Sequence, residues 1–243
     1  MSDPGKARPW LEEIPKPKEI LEEILDKLNR EEDFTNKVRT GKISTSEAVL
    51  RLEKECYRKY LEYEGKVKEK WKDKVEKDVL EKSLMQSRAT RAGDTVELII
   101  QKLLEILNIP CERKVWFPKR NGEQLDIVIP DKLTLLENPQ NAIIISIKRE
   151  VRERWREVVG EAYILRDVFG VPDNIWFVAI SCDVSNYAVR SMTKLCIRVY
   201  IPDKCFKDYE KYGARPLSQM FNDVIVFLKK KGIKQKSLSE FFK

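Results

Sequence analysis

Three stretches of this chain, LDIVIP (125–130), NAIIISIK (141–148) and IWFVAIS (175–181), are apolar along nearly their whole length. A strand with one face in water alternates apolar and polar residues, whereas a strand apolar on both faces must be covered on both. β-Branched residues fill these runs and favour strands over buried helix. Shorter strands are expected at Lys114–Phe117 and Ile197–Ile201, with a turn signal at Asn121-Gly122. Helical periodicity separates or follows the strands at 152–169, at 217–231 and, briefly, at 237–242. Apolar strands alternating with helices predict an α/β fold whose sheet is flanked by helices.

The residues before this region have a different texture. Pro15 and Pro17 precede Ile20, Leu21, Ile24, Leu25 and Leu28, the stripe of a short amphipathic helix. Ser44 and Glu47 have the spacing of a capping box. They open a long helix whose apolar positions run from Val49 through Tyr60 and Trp71 to Val79. The dense Lys and Glu between those positions read as a solvated face with i,i+4 pairs. A further apolar helix covers Ser87–Asn108 and is closed by Pro110. The expected division is a helical region over 1–83 and an α/β core over 84–243.

The chain has no histidine. That excludes Ser-His-Asp and Cys-His nucleophile systems, His-based zinc sites and His general bases. Catalysis would have to run on carboxylates, Lys, Tyr, Cys or a hard cation held by oxygen. The five cysteines form no CxxC and are odd in number, so they read as reduced thiols in a cell. The opening MSDPGKARPW lacks the apolar stretch of a signal peptide, and no run approaches 18 apolar residues; a cytoplasmic chain without a membrane span is expected. The net charge of +7 leans toward a polyanionic partner.

Three residues stand out. Asp126 lies inside an otherwise apolar strand, Lys148 ends the next one, and Glu161 lies on the helix that follows. Trp155, Val158, Val159, Ala162, Leu165 and Phe169 define that helix's buried stripe, and Glu161 falls on its shoulder. From there it can point over the strand ends. Charges at the ends of buried strands are costly unless paired or bound to something. Two carboxylates and a lysine make an oxygen-rich site for Mg²⁺, with a buried Asp–Lys ion pair as the bland alternative. Arg152, Glu153, Arg154 and Arg156 crowd the start of the same helix. Several arginines there oppose the helix dipole. Arg donates bidentately to guanine and Glu accepts from cytosine, so the cluster can read G·C pairs.

Asp126, Ser146-x-Lys148, RERWR and Glu161 together resemble the EcoRII/PspGI/SsoII/NgoMIV branch of the PD-(D/E)xK restriction endonucleases. In that branch a small residue stands two before the lysine, and a glutamate thirteen residues after the lysine supplies the missing carboxylate. Ser146 and Glu161 match both features. The resemblance implies a mixed sheet flanked by helices and a homodimeric, Mg²⁺-dependent enzyme that cuts double-stranded DNA at a palindromic CC…GG site. It implies that Asp126 and Glu161 bind metal, that Lys148 positions water, and that Arg152, Glu153 and Arg154 read bases with Arg156 beside them. The segment SRATRAGDTVE is similar to a helix carrying an auxiliary glutamate, which maps to Glu97. Some relatives flip a base into an aromatic and basic pocket, for which Tyr57, Arg58 and Tyr60 are candidates. A repair or junction nuclease of the same fold, or a DNA-binding protein without catalysis, remains an alternative.

Overall fold

The computed structural model describes residues 8–119 and 122–233. Asn121 and the expected helix at 237–242 lie outside them. The chain begins with helices α1 (Pro9–Glu12), α2 (Pro17–Glu32), α3 (Phe34–Arg39), α4 (Thr45–Trp71) and α5 (Lys77–Ile106). The α/β part follows as β1 (Glu112–Phe117), β2 (Glu123–Ile129), α6 (Lys132–Glu137), β3 (Ile143–Lys148), α7 (Trp155–Tyr163), β4 (Ile175–Ala179), α8 (Asn186–Lys194), β5 (Arg198–Ile201), β6 (Arg215–Pro216) and α9 (Leu217–Lys230).

The strands form one sheet in the order β1-β2-β3-β4-β5-β6. β1, β2 and β3 pair antiparallel, and β3 through β6 run parallel. The mixed sheet is the architecture expected. Every residue of β4 is buried, as is β3 up to Lys148, which agrees with coverage on both faces. Ile143, Ile145 and Ile147 join a core with α2 to α5 and α9. Ile144 joins the opposite core with Trp155, Val158 and Leu165 and with residues of α8. Period-two alternation therefore gives each face its own helical layer.

Local boundaries follow recognisable chemistry. The Ser44 hydroxyl caps α4 by accepting from the Glu47 N–H at 3.1 Å. α4 stops at Trp71 instead of continuing to Val79, and α5 begins at Lys77, ten residues ahead of the expected start. In the β1–β2 turn, Gly122 packs against the Phe117 carbonyl so closely that a Cβ there would collide with it. α8 was not expected from the sequence; Ser185 caps it through the Ala188 N–H at 3.1 Å.

α5 runs unbroken across residues 83 and 84, and one apolar core spans both sides of that position. Val96, Ile99, Ile100, Leu103 and Leu104 of α5 are buried in it together with Leu52 of α4 and Ile127 of β2.

The expectation of reduced cysteines is corrected for one pair. Cys182 and Cys205 form a disulfide with a Cα–Cα distance of 6.1 Å. They follow the neighbouring parallel strands β4 and β5, so the sheet brings together residues that no sequence spacing marks. Cys56, Cys111 and Cys196 are free, and burial pushes the Cys56 and Cys111 thiols up to about 12. Among the described residues no helix is long and apolar enough to cross a membrane.

Leu103, fully buried where α5 meets the sheet core, gives a test of this packing. Leu103→Ala is expected to cost about 2–5 kcal/mol in urea unfolding. A loss below about 1 kcal/mol would show that α5 does not hold the core.

Candidate active site

Asp126, Ser146 and Lys148 occupy alternate positions on the sheet face that packs against α7. Continuing the pairing of Ile127 with Ile145 brings Asp126 abreast of Ser146. The Ile147 N–H donates to Asp126 Oδ2 at 2.7 Å, and Lys148 Nζ lies 3.9 Å from the same oxygen. The backbone bond fixes the carboxylate and the lysine partly neutralises it, offsetting the cost of a charge inside an apolar strand. Both side chains are mostly enclosed, at 20% and 11% exposure.

Glu161 reaches this site from α7. Burial first, and then the Asp126 charge, push its carboxyl up to about 7, against the opposing influence of Lys148 and the nearby Ser146 hydroxyl. Ser146 Oγ is itself buried without a well-formed hydrogen-bond partner. Glu97 on α5 also feels Asp126: burial and that charge raise its pKa, while Lys114 and Arg113 oppose the shift. Arg113 Nη1 holds Glu97 Oε2 at 3.0 Å and Asp94 Oδ1 at 2.5 Å. Asp126 thus stands between two carboxyl groups that are both reluctant to ionise.

Among the described residues no group of three or more His, Cys, Asp or Glu is arranged to hold a metal ion. The oxygen donors at hand are Asp126 and Glu161, with the Ser146 hydroxyl of β3 near Glu161. Such a set suits a hard cation that binds through one or two carboxylates and keeps waters. Burial and the repulsion of Asp126 both raise Glu161, and a divalent cation would offset them.

The arginine cluster differs from its expected setting. Arg152, Glu153 and Arg154 form a turn, and α7 starts only at Trp155. Arg152 has φ +35°, which interrupts helical geometry upstream. The turn is closed by the Arg154 N–H to the Val151 carbonyl at 2.7 Å. Its base is anchored by Asp183, whose two carboxylate oxygens accept from the Val151 N–H at 3.2 Å each. Arg152, Glu153, Arg154 and Arg156 are exposed at 78%, 77%, 53% and 62%, as groups meeting a partner need to be. Arg156 pairs with Glu153 and lies over the Trp155 ring.

The three base-pocket candidates separate. Tyr57 borders a cleft of about 390 Å³ that Arg88, Arg149, Arg152 and Arg154 also line. The Arg149 guanidinium stacks 4.8 Å above the Tyr57 ring and bonds Glu53 at 2.8 Å. Tyr60 is buried with an unpartnered hydroxyl, and Arg58 is exposed against Glu55. Arg149, Glu157 and Asp183 were not singled out from the sequence. Arg149 directly follows Lys148, and Glu157 lies within the charged run, so a local signal existed for both. Asp183 follows β4, and only the parallel pairing of β3 with β4 brings it to the arginine turn.

The raised pKa of Glu161 has a readable sign. Its folded-state value lies above its ordinary one, so stability linked to this group is full below about 4.5 and lost as pH rises through about 7. Without divalent cations, Glu161→Gln should therefore be more stable than the parent at pH 8, by about 3 kcal/mol. The gap should close toward pH 5. Equal unfolding curves at pH 8 would show that Glu161 carries no buried charge there.

Comparison with known proteins places the fold. The family model described as EcoRII C terminal matches residues 53–224. The type II restriction enzyme SsoII of Shigella sonnei is 37% identical over 82 residues, which cover 31% of this chain and 27% of that protein. The solved structure of a restriction endonuclease PspGI–substrate DNA complex superposes with a TM-score of 0.82 at 32% identity, covering 95% of this chain and 98% of that one. Metal-depleted Ecl18kI in complex with uncleaved, modified DNA shares the fold, with a TM-score of 0.70 at 18% identity over 94% of this chain and 84% of that one. By the family model and the PspGI likeness together, this chain belongs to the EcoRII C-terminal family, in the EcoRII/PspGI branch of the type II restriction endonucleases.

Proposed function

We propose that this chain cuts both strands of DNA at a palindromic CC…GG site, as a homodimer with Mg²⁺. One juxtaposition carries the reading. Asp126, Lys148 and Glu161 converge at the end of β3, and the exposed Arg152-Glu153-Arg154 turn begins four residues beyond Lys148. The likeness to a PspGI–substrate DNA complex supports it. A palindrome is matched by two copies related by a twofold axis, each contributing one turn. The cytoplasm is the compartment where such an enzyme would meet DNA.

Asp126 and Glu161 would hold the Mg²⁺. When bound, the ion polarises the scissile phosphate and lowers the pKa of a coordinated water. Asp126 is held for this task by the Ile147 N–H, and its orientation does not depend on DNA. Lys148, nearly enclosed, presents one ammonium that orients the attacking water and offsets charge developing on phosphorus oxygens. Glu97, anchored by Arg113, acts as an auxiliary acid. In-line attack leaves a 5′-phosphate and a 3′-hydroxyl. Arg152 and Arg154 read guanine O6 and N7, Glu153 accepts from cytosine N4, and Arg156 supports them. Tyr57, with Arg149 stacked on it and Arg58 and Tyr60 nearby, offers the surface on which an extruded base would lie.

Digestion of a sequenced plasmid with Mg²⁺, with and without EDTA, tests this directly. EDTA-sensitive ends at one shared CC…GG sequence are expected, and nonspecific or structure-dependent nicking would replace the reading with that of a repair nuclease. Asp126→Ala and Lys148→Ala should abolish cleavage and leave specific binding; cleavage by either variant would remove that residue from the site. Arg154→Ala should weaken specific binding by about 1–3 kcal/mol, and unchanged affinity would mean the turn does not read bases.

A further inference from the structure

Beyond these assignments, and resting on them, we infer that Glu157 is a positioning residue that ties base reading to cleavage. One atom of its carboxylate, Oε2, faces two functional groups at once. It accepts from Arg154 Nε at 3.3 Å and lies 3.9 Å from Lys148 Nζ. Lys148 Nζ lies equally far from Asp126 Oδ2. A line of alternating charge therefore runs Asp126–Lys148–Glu157–Arg154, from the strand that carries the cleavage site to the turn that reads bases.

The chemistry of the arginine makes the contact useful. Guanidinium reads guanine with two parallel N–H groups. Glu157 takes Nε, and among the described residues this is the side-chain hydrogen bond that Arg154 makes. Both Nη groups are thus left for a base while the plane of the fork is set. The same oxygen then faces the lysine, so a displacement of Arg154 by a wrong base is passed to Lys148 through one side chain. Glu157 is 58% exposed and unburdened by packing, and can follow such a shift.

A plainer role competes. Glu157 lies in the first turn of α7, where any acid favours the helix dipole. Variants separate the two roles. Glu157→Asp keeps a first-turn charge and shortens its reach by one methylene. Glu157→Gln keeps the length and an acceptor for Arg154 Nε and drops the charge facing Lys148.

Binding would be measured without divalent cation on a duplex carrying the CC…GG site and on one with a single outer base pair changed. Single-turnover cleavage of the saturated complex would be measured with Mg²⁺. We expect Glu157→Asp to lower discrimination between the duplexes on the order of tenfold at unchanged Tm. In an Arg154→Ala background it should cost nothing more, since the two act as one unit. Glu157→Gln should keep discrimination and lower the single-turnover rate. Unchanged discrimination in Glu157→Asp, full additivity with Arg154→Ala, or equal loss on both duplexes with a fall in Tm would overturn the inference. Normal discrimination by Arg154→Ala itself, or cleavage by Lys148→Ala, would instead overturn the functional reading on which the inference stands.

Discussion

A carboxylate in the middle of an apolar strand is the constraint around which this molecule is arranged. Asp126 cannot be solvated freely between two helical layers, so its charge is met from within by two groups of β3, the Ile147 N–H and the Lys148 ammonium. Those contacts require β2 and β3 to pair in one register, because a slip of one residue would turn Asp126 to the other core. The register in turn fixes where β3 ends and where the arginine turn begins. Compensation of one buried charge thus decides the position of the acidic site and of the surface beside it.

The compensation is incomplete, and that is informative. Glu161 and Glu97 both approach Asp126, and both have their ionisation made harder by it. A site built only for stability would have paired Glu161 closely with a base or replaced it with an apolar residue. Keeping Glu161 buried beside Asp126 with one lysine to share costs stability and creates demand for a counter-ion.

Much of this was legible in the sequence, because its strongest signals were local. The strands rich in isoleucine and valine announced a doubly covered sheet, and the Asp126, Lys148 and Glu161 spacing singled out three residues that folding brings together. What the sequence hid depends on long-range pairing. Cys182 and Cys205 meet because β4 and β5 run side by side. Asp183 holds Val151 because β3 and β4 are neighbours. Arg152 looked like the first turn of a helix because its charge pattern continues into one, and its left-handed backbone leaves no mark in composition. The uninterrupted α5 was masked by a change of texture near Leu84, since an exposed charged half and a buried apolar half share one helical rod.

That rod has a mechanical consequence. Thirty residues of helix extend about 45 Å. α5 packs against α2 and α4 and also against β2 and β3, the strands that carry Asp126 and Lys148. Glu97 rides on the same rod, near Arg113 of the sheet's edge strand. A load applied to the amino-terminal helices would therefore not be absorbed at a joint. It would arrive as a tilt or twist of the lever beneath the strands. In this sense the helical bundle serves the sheet as a handle.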